Sequence, residues 1–470
     1  MNNKKNFFFS ASIIYIIGNL MTSGLAFIVT PIFSRLLTPS DFGIASLYNT
    51  WLAIFTNTIF LQTYVSLAPK KNNYKSEEFN NYTANILSIS TICFFIFLIM
   101  INGTMNYWIN ITSFESVLIN ILLIHSYFLY VIEFSKYYTV QLFKPYKYLS
   151  ISSIYSVGST ILAIILIFNL KNNLYYGRIL GFSITGILLG LYLNIKVIRL
   201  GLVNFKNIKK YHKECLRITI PEVFSALGAL ILTHADRIML KWYFGYSEVA
   251  IYSLAYSMSF ITLVIWSATN NVWVPWYFKN TKLKLDKEIN IVARKYIIII
   301  ALFTAAVLLF IPEFVKIMAP GKYYSAGKIS LYIIVGLYFY FLTTFLTKYQ
   351  LYLEKNKSVA IGTIMAAILN IILNIFLIPR YGNLGAAIAT LLSYVILFIF
   401  HNYIIFKLGS FNIIKRHFFS GIWIVLASLI LSQILYKNMI IRFSLIFIIF
   451  VFSIFYFKRD LKNILKNSRN

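Results

Sequence analysis

This 470-residue chain is short of cysteine, of acidic residues and of long polar stretches, and each shortage removes a class of function. The two cysteines, Cys93 and Cys215, are far apart and the first lies inside an apolar stretch, so neither a disulfide framework nor a cysteine metal set is expected. Charged residues make up 12% of the chain. No long soluble segment is present to hold a catalytic domain. The stretch from Gly321 to Lys328 superficially resembles a phosphate-binding loop. Its spacing to Gly327-Lys328 is one residue too long, however, and Ile329 stands where a Ser or Thr is needed, so ATP hydrolysis is not expected. No cofactor and no metal are expected either.

What is abundant is apolar length. Hydrophobic residues are 59% of the chain and the mean hydropathy is +0.74. The apolar stretches run over 7–34, 42–67, 82–102, 114–143, 148–170, 174–195, 215–240, 248–278, 290–311, 326–353, 358–379, 383–406, 417–436 and 439–457. Each can supply the roughly 20 apolar residues with which a helix crosses a ~30 Å hydrocarbon layer. In that layer only helices and closed barrels satisfy their own backbone groups. The expected fold is therefore an all-α polytopic membrane protein of about 14 transmembrane helices. The first stretch is too long for a cleaved signal peptide and should persist as a helix.

Lysine and arginine give the orientation. With the N-terminus inside, the even-numbered connections and both tails hold 29 basic residues, the opposite side holds nine, and five lie within the segments. Cytoplasmic loops carry the excess, so both termini should be cytoplasmic in a multi-pass inner-membrane protein. The same distribution explains the net charge of +29. Cations spread over short loops beside apolar helices are a topology signal and an attraction to anionic membrane lipids, and they exclude a nucleic-acid patch.

An internal repeat underlies the ladder. Asp41-Phe42-Gly43-Ile44-Ala45-Ser46-Leu47 after the first segment matches Glu248-Val249-Ala250-Ile251-Tyr252-Ser253-Leu254 after the seventh. Pro69 and Pro275, Lys144-Pro145-Tyr146-Lys147 and Glu354-Lys355-Asn356-Lys357, and Gly177 and Gly385 follow at nearly the same offset. Four matches in order predict two homologous six-helix lobes, 1–200 and 215–407, related by a pseudo-two-fold axis along the membrane normal. A cytoplasmic basic linker, 201–214, joins them, and 408–470 is an added helix pair with a basic tail.

Arg35-Leu36-Leu37-Thr38-Pro39-Ser40-Asp41-Phe42-Gly43 resembles the start of the polysaccharide flippases, the Wzx-type O-antigen transporters of the multidrug/oligosaccharidyl-lipid/polysaccharide (MATE-like) superfamily. Asp236-Arg237-Ile238-Met239-Leu240, Leu377-Ile378-Pro379-Arg380-Tyr381-Gly382 and Leu384-Gly385-Ala386-Ala387-Ile388-Ala389-Thr390 agree with it. The resemblance implies a transporter, not an enzyme. It would move an undecaprenyl-diphosphate-linked oligosaccharide from the cytoplasmic to the periplasmic leaflet by alternating access, with ion-gradient coupling expected. Its implied partners are the lipid-linked oligosaccharide, membrane lipids, and a polysaccharide polymerase and chain-length regulator in the same membrane. Export of a peptidoglycan precursor or of drugs is the alternative within the superfamily, and a membrane glycan polymerase or ligase the more distant one. The latter needs acid, arginine or histidine chemistry in a large outside loop, and the outside connections near 103–113 and 312–325 are short.

Such a substrate needs cations and hydrogen-bond donors in a wet cavity, and intramembrane ionisable residues are the natural candidates. Arg35, Arg237, Lys136, Arg178 and Lys348 are the expected substrate-binding cations. Glu222, Asp236 and Glu133 are the expected ion-coupling or charge-partner residues. Glu133 and Lys136, three apart, can pair across one turn, which serves insertion of the helix as well as it serves a cavity. Asp236 and Arg237 point about 100° apart on a helix and need partners elsewhere, with Arg35 at the same outer depth. Glu222 follows Pro221, where the helix bends and a carbonyl is freed, and it can accept a coupling proton or pair with Arg217. Lys348 and Arg217 can equally snorkel to head groups. His125 and His234 read better as packing or lumen residues than as ligands. Among 35 tyrosines and 42 phenylalanines, Tyr252, Tyr256, Trp266 and Trp273 are candidates for stacking on sugars.

Overall fold

The Thr38-Pro39-Ser40-Asp41 stretch is built to start a helix. Thr38 takes an extended backbone ahead of Pro39, accepts the Asp41 N–H at 3.1 Å and donates its hydroxyl to the Asp41 carboxylate at 2.6 Å. Proline at the first helical position loses no backbone bond, and the Thr38 hydroxyl satisfies one of the donors that the first turn leaves open. Two residues on, Gly43 allows a close approach: a Cβ there would lie 1.9 Å from the Tyr246 carbonyl oxygen. The start of this helix thus packs directly onto the chain at Tyr246.

The computed structural model describes residues 14–19, 21, 24–199, 207–409 and 411–467. Every extended element among them is helical. In order they are α1 (Leu25–Leu36), α2 (Pro39–Thr58), a 3-10 turn (Thr63–Ser66), α3 (Leu67–Asn73), α4 (Ser76–Gly103), α5 (Met105–Thr112), α6 (Ser116–Gln141), α7 (Pro145–Asn169) and α8 (Tyr175–Ile198). There follow α9 (Ile208–Phe244), α10 (Tyr246–Lys282), α11 (Asp286–Met318), α12 (Ser325–Tyr352), α13 (Asn356–Leu408), α14 (Arg416–Ile434) and α15 (Met439–Asn467). The protein is an all-α polytopic membrane protein. Eleven of the described helices are long and apolar enough to cross a membrane, or twelve if the bent pair of α2 with the residues 63–73 is one span.

Two spans differ from their expected form. The second, read from sequence as unbroken over 42–67, bends by 42° between Thr58 and Thr63. The thirteenth helix runs for 53 residues, which at 1.5 Å per residue is roughly 80 Å and far exceeds a bilayer. Gly382, with φ 56° and ψ −133°, divides it into two pieces of spanning length. Gly385 then packs so tightly on Leu377 that a Cβ would sit 2.2 Å from the Leu377 carbonyl oxygen. Gly177 packs in the same way against Ile167, where a Cβ would lie at 2.8 Å. The first apolar stretch, 7–34, and the linker 201–214 fall partly outside the described residues, as does the end of the basic tail.

Contacts divide the chain into two compact units, residues 1–250 and 251–470. In the first, α6 and α7 pack on α8, and α9 packs on α2, α4 and the 3-10 turn. In the second, α12 is the central helix, buried over 83% of its apolar window, and it packs on α13 and α11. The window of the last helix, α15, is only 6% buried. Apolar contact drives little association between helices in lipid, so α15 needs polar attachment. Arg442 supplies it: buried, it donates to both Glu313 oxygens at 2.5 and 2.6 Å and to the Leu309 and Leu435 carbonyls.

Candidate functional site

The break in the second span is set by its own polar residues. Asn57 and Thr58 donate side-chain bonds back to the Ala53 and Ile54 carbonyls at 2.8 and 2.7 Å. Such local bonds compete with the helix ladder and commonly bend it. Leu61 and Gln62 then take left-handed backbone angles, φ 55° and 44°. Gln62 donates to the Asn57 carbonyl, and Ser90 of α4 donates to the Phe60 carbonyl at 3.0 Å. Within the turn, Thr63 bonds the hydroxyls of Ser90 and Tyr130, Ser66 donates to the Thr63 carbonyl, and Tyr82 donates to Ser66. Cys215 of α9, fully buried, closes this network with its thiol 3.5 Å from the Ser66 hydroxyl. Irregular backbone at membrane depth is tolerated only where protein buries it or a wet cavity borders it.

Three of the expected charges gather around this turn. The Tyr64 ring lies 5.9 Å from Tyr130 and 5.4 Å from Tyr137. Its hydroxyl is within electrostatic reach of both Glu133 and Glu222, and that of Tyr137 within reach of Glu222. Lys136 Nζ donates to Glu133 Oε1 at 2.8 Å, across the single helical turn that their spacing requires. Lys136 is buried and lies over the Tyr148 ring, whereas the Glu133 side chain keeps 43% of its exposure. Glu222 is exposed, and among the described residues no ion pair joins it to Arg217. Glu133 of α6 and Glu222 of α9 thus lie within electrostatic reach of Tyr64 in the bend, and Lys136 pairs with the first of them while resting on Tyr148 of α7.

The other expected residues of the first unit have partners of their own. Asp236 is fully buried and Arg237 nearly so; Arg237 Nη1 donates to the Thr233 carbonyl at 2.7 Å and lies 3.5 Å from His234 Nδ1. Arg178 is held between the Phe33 and Phe42 rings, 4.7 and 4.8 Å from their centroids. Arg35 is exposed and folds back to donate to the Pro31 carbonyl at 2.9 Å. His125 is fully buried, with Tyr48 3.1 Å from Nδ1 and Tyr155 3.4 Å from Nε2. It ties together α2, α6 and α7 as a packing residue.

Lys348 is the one expected site residue in the second unit, half-buried on α12. The aromatic candidates there are packing residues in three of four cases. Tyr252 and Tyr256 are buried, and Trp273 is enclosed by Tyr277, Tyr296 and Phe345. Trp266 is half-buried against Tyr340.

Sequence reading overlooked Glu214. It receives bonds from Lys70 Nζ and the Tyr74 hydroxyl, both at 2.5 Å, and Lys210 stands 3.8 Å from Glu78 beside it. Burial and the Glu214 carboxylate push the Tyr74 hydroxyl well above its ordinary value. The available signal was a lone acid at the end of the basic stretch Lys209-Lys210-Tyr211-His212-Lys213. The break at residues 59–62 was overlooked too, although Thr56-Asn57-Thr58 and Gln62-Thr63 interrupt the apolar run.

A helical membrane chain with a broken span, ionisable side chains of both signs near it and further charges buried in the same unit belongs to the class of polytopic transporters. Residues 9–281, more than half of the chain, match the family model described as polysaccharide biosynthesis protein, and the chain belongs to that family. Among its relatives is the probable low-salt glycan biosynthesis flippase Agl15 of Haloferax volcanii, 24% identical over 219 residues. That match spans about half of each protein, 46% of either length. The capsular polysaccharide biosynthesis protein CapF of Staphylococcus aureus is 28% identical over 407 residues, 82% of this chain and 96% of that protein. Among solved structures, the lipid II flippase MurJ in an inward closed conformation superposes with a TM-score of 0.73 at 18% identity, covering 96% of this chain and 99% of that one. An inward-facing multidrug resistance MATE transporter gives 0.62 at 14% identity, covering 85% and 99%. These likenesses establish the fold.

Proposed function

We propose that this protein is a flippase for a lipid-linked oligosaccharide, the undecaprenyl-diphosphate-linked repeat unit of an O-antigen or similar surface polysaccharide. It would carry the unit from the cytoplasmic to the periplasmic leaflet of the inner membrane by alternating access, with both termini cytoplasmic. The observation that carries this reading is the family match, whose span includes the broken second helix and all the buried charges of the first unit. Discontinuous helices with charges beside them are where secondary transporters hold anions and coupling ions. In this reading Arg35, Arg178 and Arg237 meet diphosphate or sugar at the outer end and Lys136 meets it at the bend, and Lys348 is the candidate cation of the second unit. Asp236 and Glu133 hold the cations in place, and Glu222 takes up the coupling proton. The repeat lobes 1–200 and 215–407 are the parts that alternate, and a polymerase and chain-length regulator receive the product.

Deleting the gene should abolish the surface glycan, leave drug susceptibility unchanged and trap the lipid-linked unit in the cytoplasmic leaflet. Unchanged surface glycan, or a new drug sensitivity, would count against it. In proteoliposomes carrying the lipid-linked unit, Glu222→Gln should remove the dependence of flipping on an imposed proton gradient. A variant that still responds to the gradient refutes the coupling role.

A further inference from the structure

A groove opens on the first unit at the helix ends that the lysine distribution assigns to the cytoplasm. Its volume is about 270 Å³, and its walls come from α6, α7 and α8. Its wall is apolar, with Ile151 and Leu193 buried and Leu189 and Ile154 towards the outside, and the rim carries Lys144, Lys147 and Lys196. A second cavity of about 360 Å³ shares Tyr192 and Lys196 with it and adds Arg199, so the two adjoin. No Asp or Glu lines either one.

The rim cations are exposed, and none of them has an acidic partner among the described residues. Lys196 lies over the Tyr192 ring, 5.4 Å from its centroid, which holds its ammonium at the mouth. One polar group inside the groove is unusual: the Ser135 hydroxyl is buried and has no hydrogen-bond partner among the described residues. The neighbouring hydroxyls are engaged, Thr139 with the Lys136 carbonyl and Tyr138 with Asn80. A buried hydroxyl left open is costly unless something completes it.

Four cations at one rim, an apolar trough running from them and an open hydroxyl within fit a molecule with an anionic head and hydrocarbon tails. Basic pockets between membrane helices on the cytoplasmic side take anionic lipid head groups. We propose that this groove binds an anionic phospholipid of the inner leaflet. Its phosphate sits among Lys144, Lys147, Lys196 and Arg199, and an acyl chain lies along Ile154 and Leu189. The site is separate from the charges around the broken span and independent of which glycan is carried.

The test is native mass spectrometry of the full-length protein released from nanodiscs containing equal phosphatidylglycerol and phosphatidylcholine. The wild type should retain phosphatidylglycerol selectively. Lys144→Gln, Lys147→Gln and Lys196→Gln should weaken that retention by about fivefold per lysine removed. Ile154→Trp keeps every cation and fills the trough, and it should lose the lipid as well. Lys355→Gln with Lys357→Gln removes charge from another basic connection and should retain it. Wild-type retention by the triple lysine variant or by Ile154→Trp overturns the proposal, as does an equal loss on removing Lys355 and Lys357. Displacement of phosphatidylglycerol by equimolar undecaprenyl phosphate, or by inorganic phosphate alone, overturns the choice of a phospholipid as occupant.

Discussion

Glu133–Lys136 in the first unit and Glu313–Arg442 in the second are both ion pairs on membrane helices, yet they connect different things. The first closes on a single helix, one turn apart, and leaves its carboxylate 43% exposed beside a bend in another span. The second joins two helices, is bidentate, and is 2% and 13% exposed. Helix α15 has so little buried surface of its own that this pair and the two carbonyls beside it are its main polar anchor. The first pair ties its two residues to one helix, with only the Lys136 ammonium over Tyr148 reaching a neighbour, whereas the second pair itself joins two helices. The first unit therefore keeps charge available around its break, and the second uses charge to hold an appended helix.

The largest stability effect should come from the second unit. Arg442→Met leaves Glu313 buried and unpaired, which costs about 3–5 kcal/mol. Thermal unfolding in detergent should fall accordingly, Arg442→Met with Glu313→Leu should recover most of the loss, and export per folded molecule should be unchanged. If Arg442→Met unfolds with the wild type, the anchoring role is wrong. Next, Gly43→Ala forces a Cβ onto the Tyr246 carbonyl and should cost about 1–3 kcal/mol by overpacking. Gly103, which has open space around it, serves as the control, and Gly103→Ala should show no loss. Glu214→Gln removes the charged acceptor shared by Lys70 and Tyr74, for about 1–2 kcal/mol at the same readout.

The smallest change in stability should accompany Lys136→Gln. The single-turn pair is worth about 0.3–0.5 kcal/mol and the Lys136 contact with the Tyr148 ring about 0.5–1 kcal/mol, so unfolding should move far less than for Arg442→Met. Glycan export in a complemented deletion strain should nevertheless fall sharply at equal protein abundance. A Lys136→Gln variant that exports normally would leave the two pairs differing only in strength, and the contrast drawn between the units would fail.

Much of the fold was legible because membrane insertion depends on local sequence. Twenty apolar residues make a span wherever they stand, and a lysine near its end orients it without reference to any other segment. The Thr38-Pro39-Ser40-Asp41 cap is equally local, as is the Glu133–Lys136 pair. The bend between Thr58 and Thr63 was harder to read, since each polar residue in it is individually compatible with a helix. Only the Ser90, Tyr130 and Cys215 contacts from other helices make the bend preferable. Glu214 and Arg442 were likewise hidden, because their partners lie 144 and 129 residues away.

The sequence by itself determined that the chain is a multi-pass helical membrane protein of the polysaccharide biosynthesis family. Tertiary structure decided which charges meet, where a span breaks and which aromatics are merely packed. The reason is physical: apolar length and loop charge act one segment at a time, but a buried ion pair, a Gly43 contact or an open groove exists only once distant helices have packed.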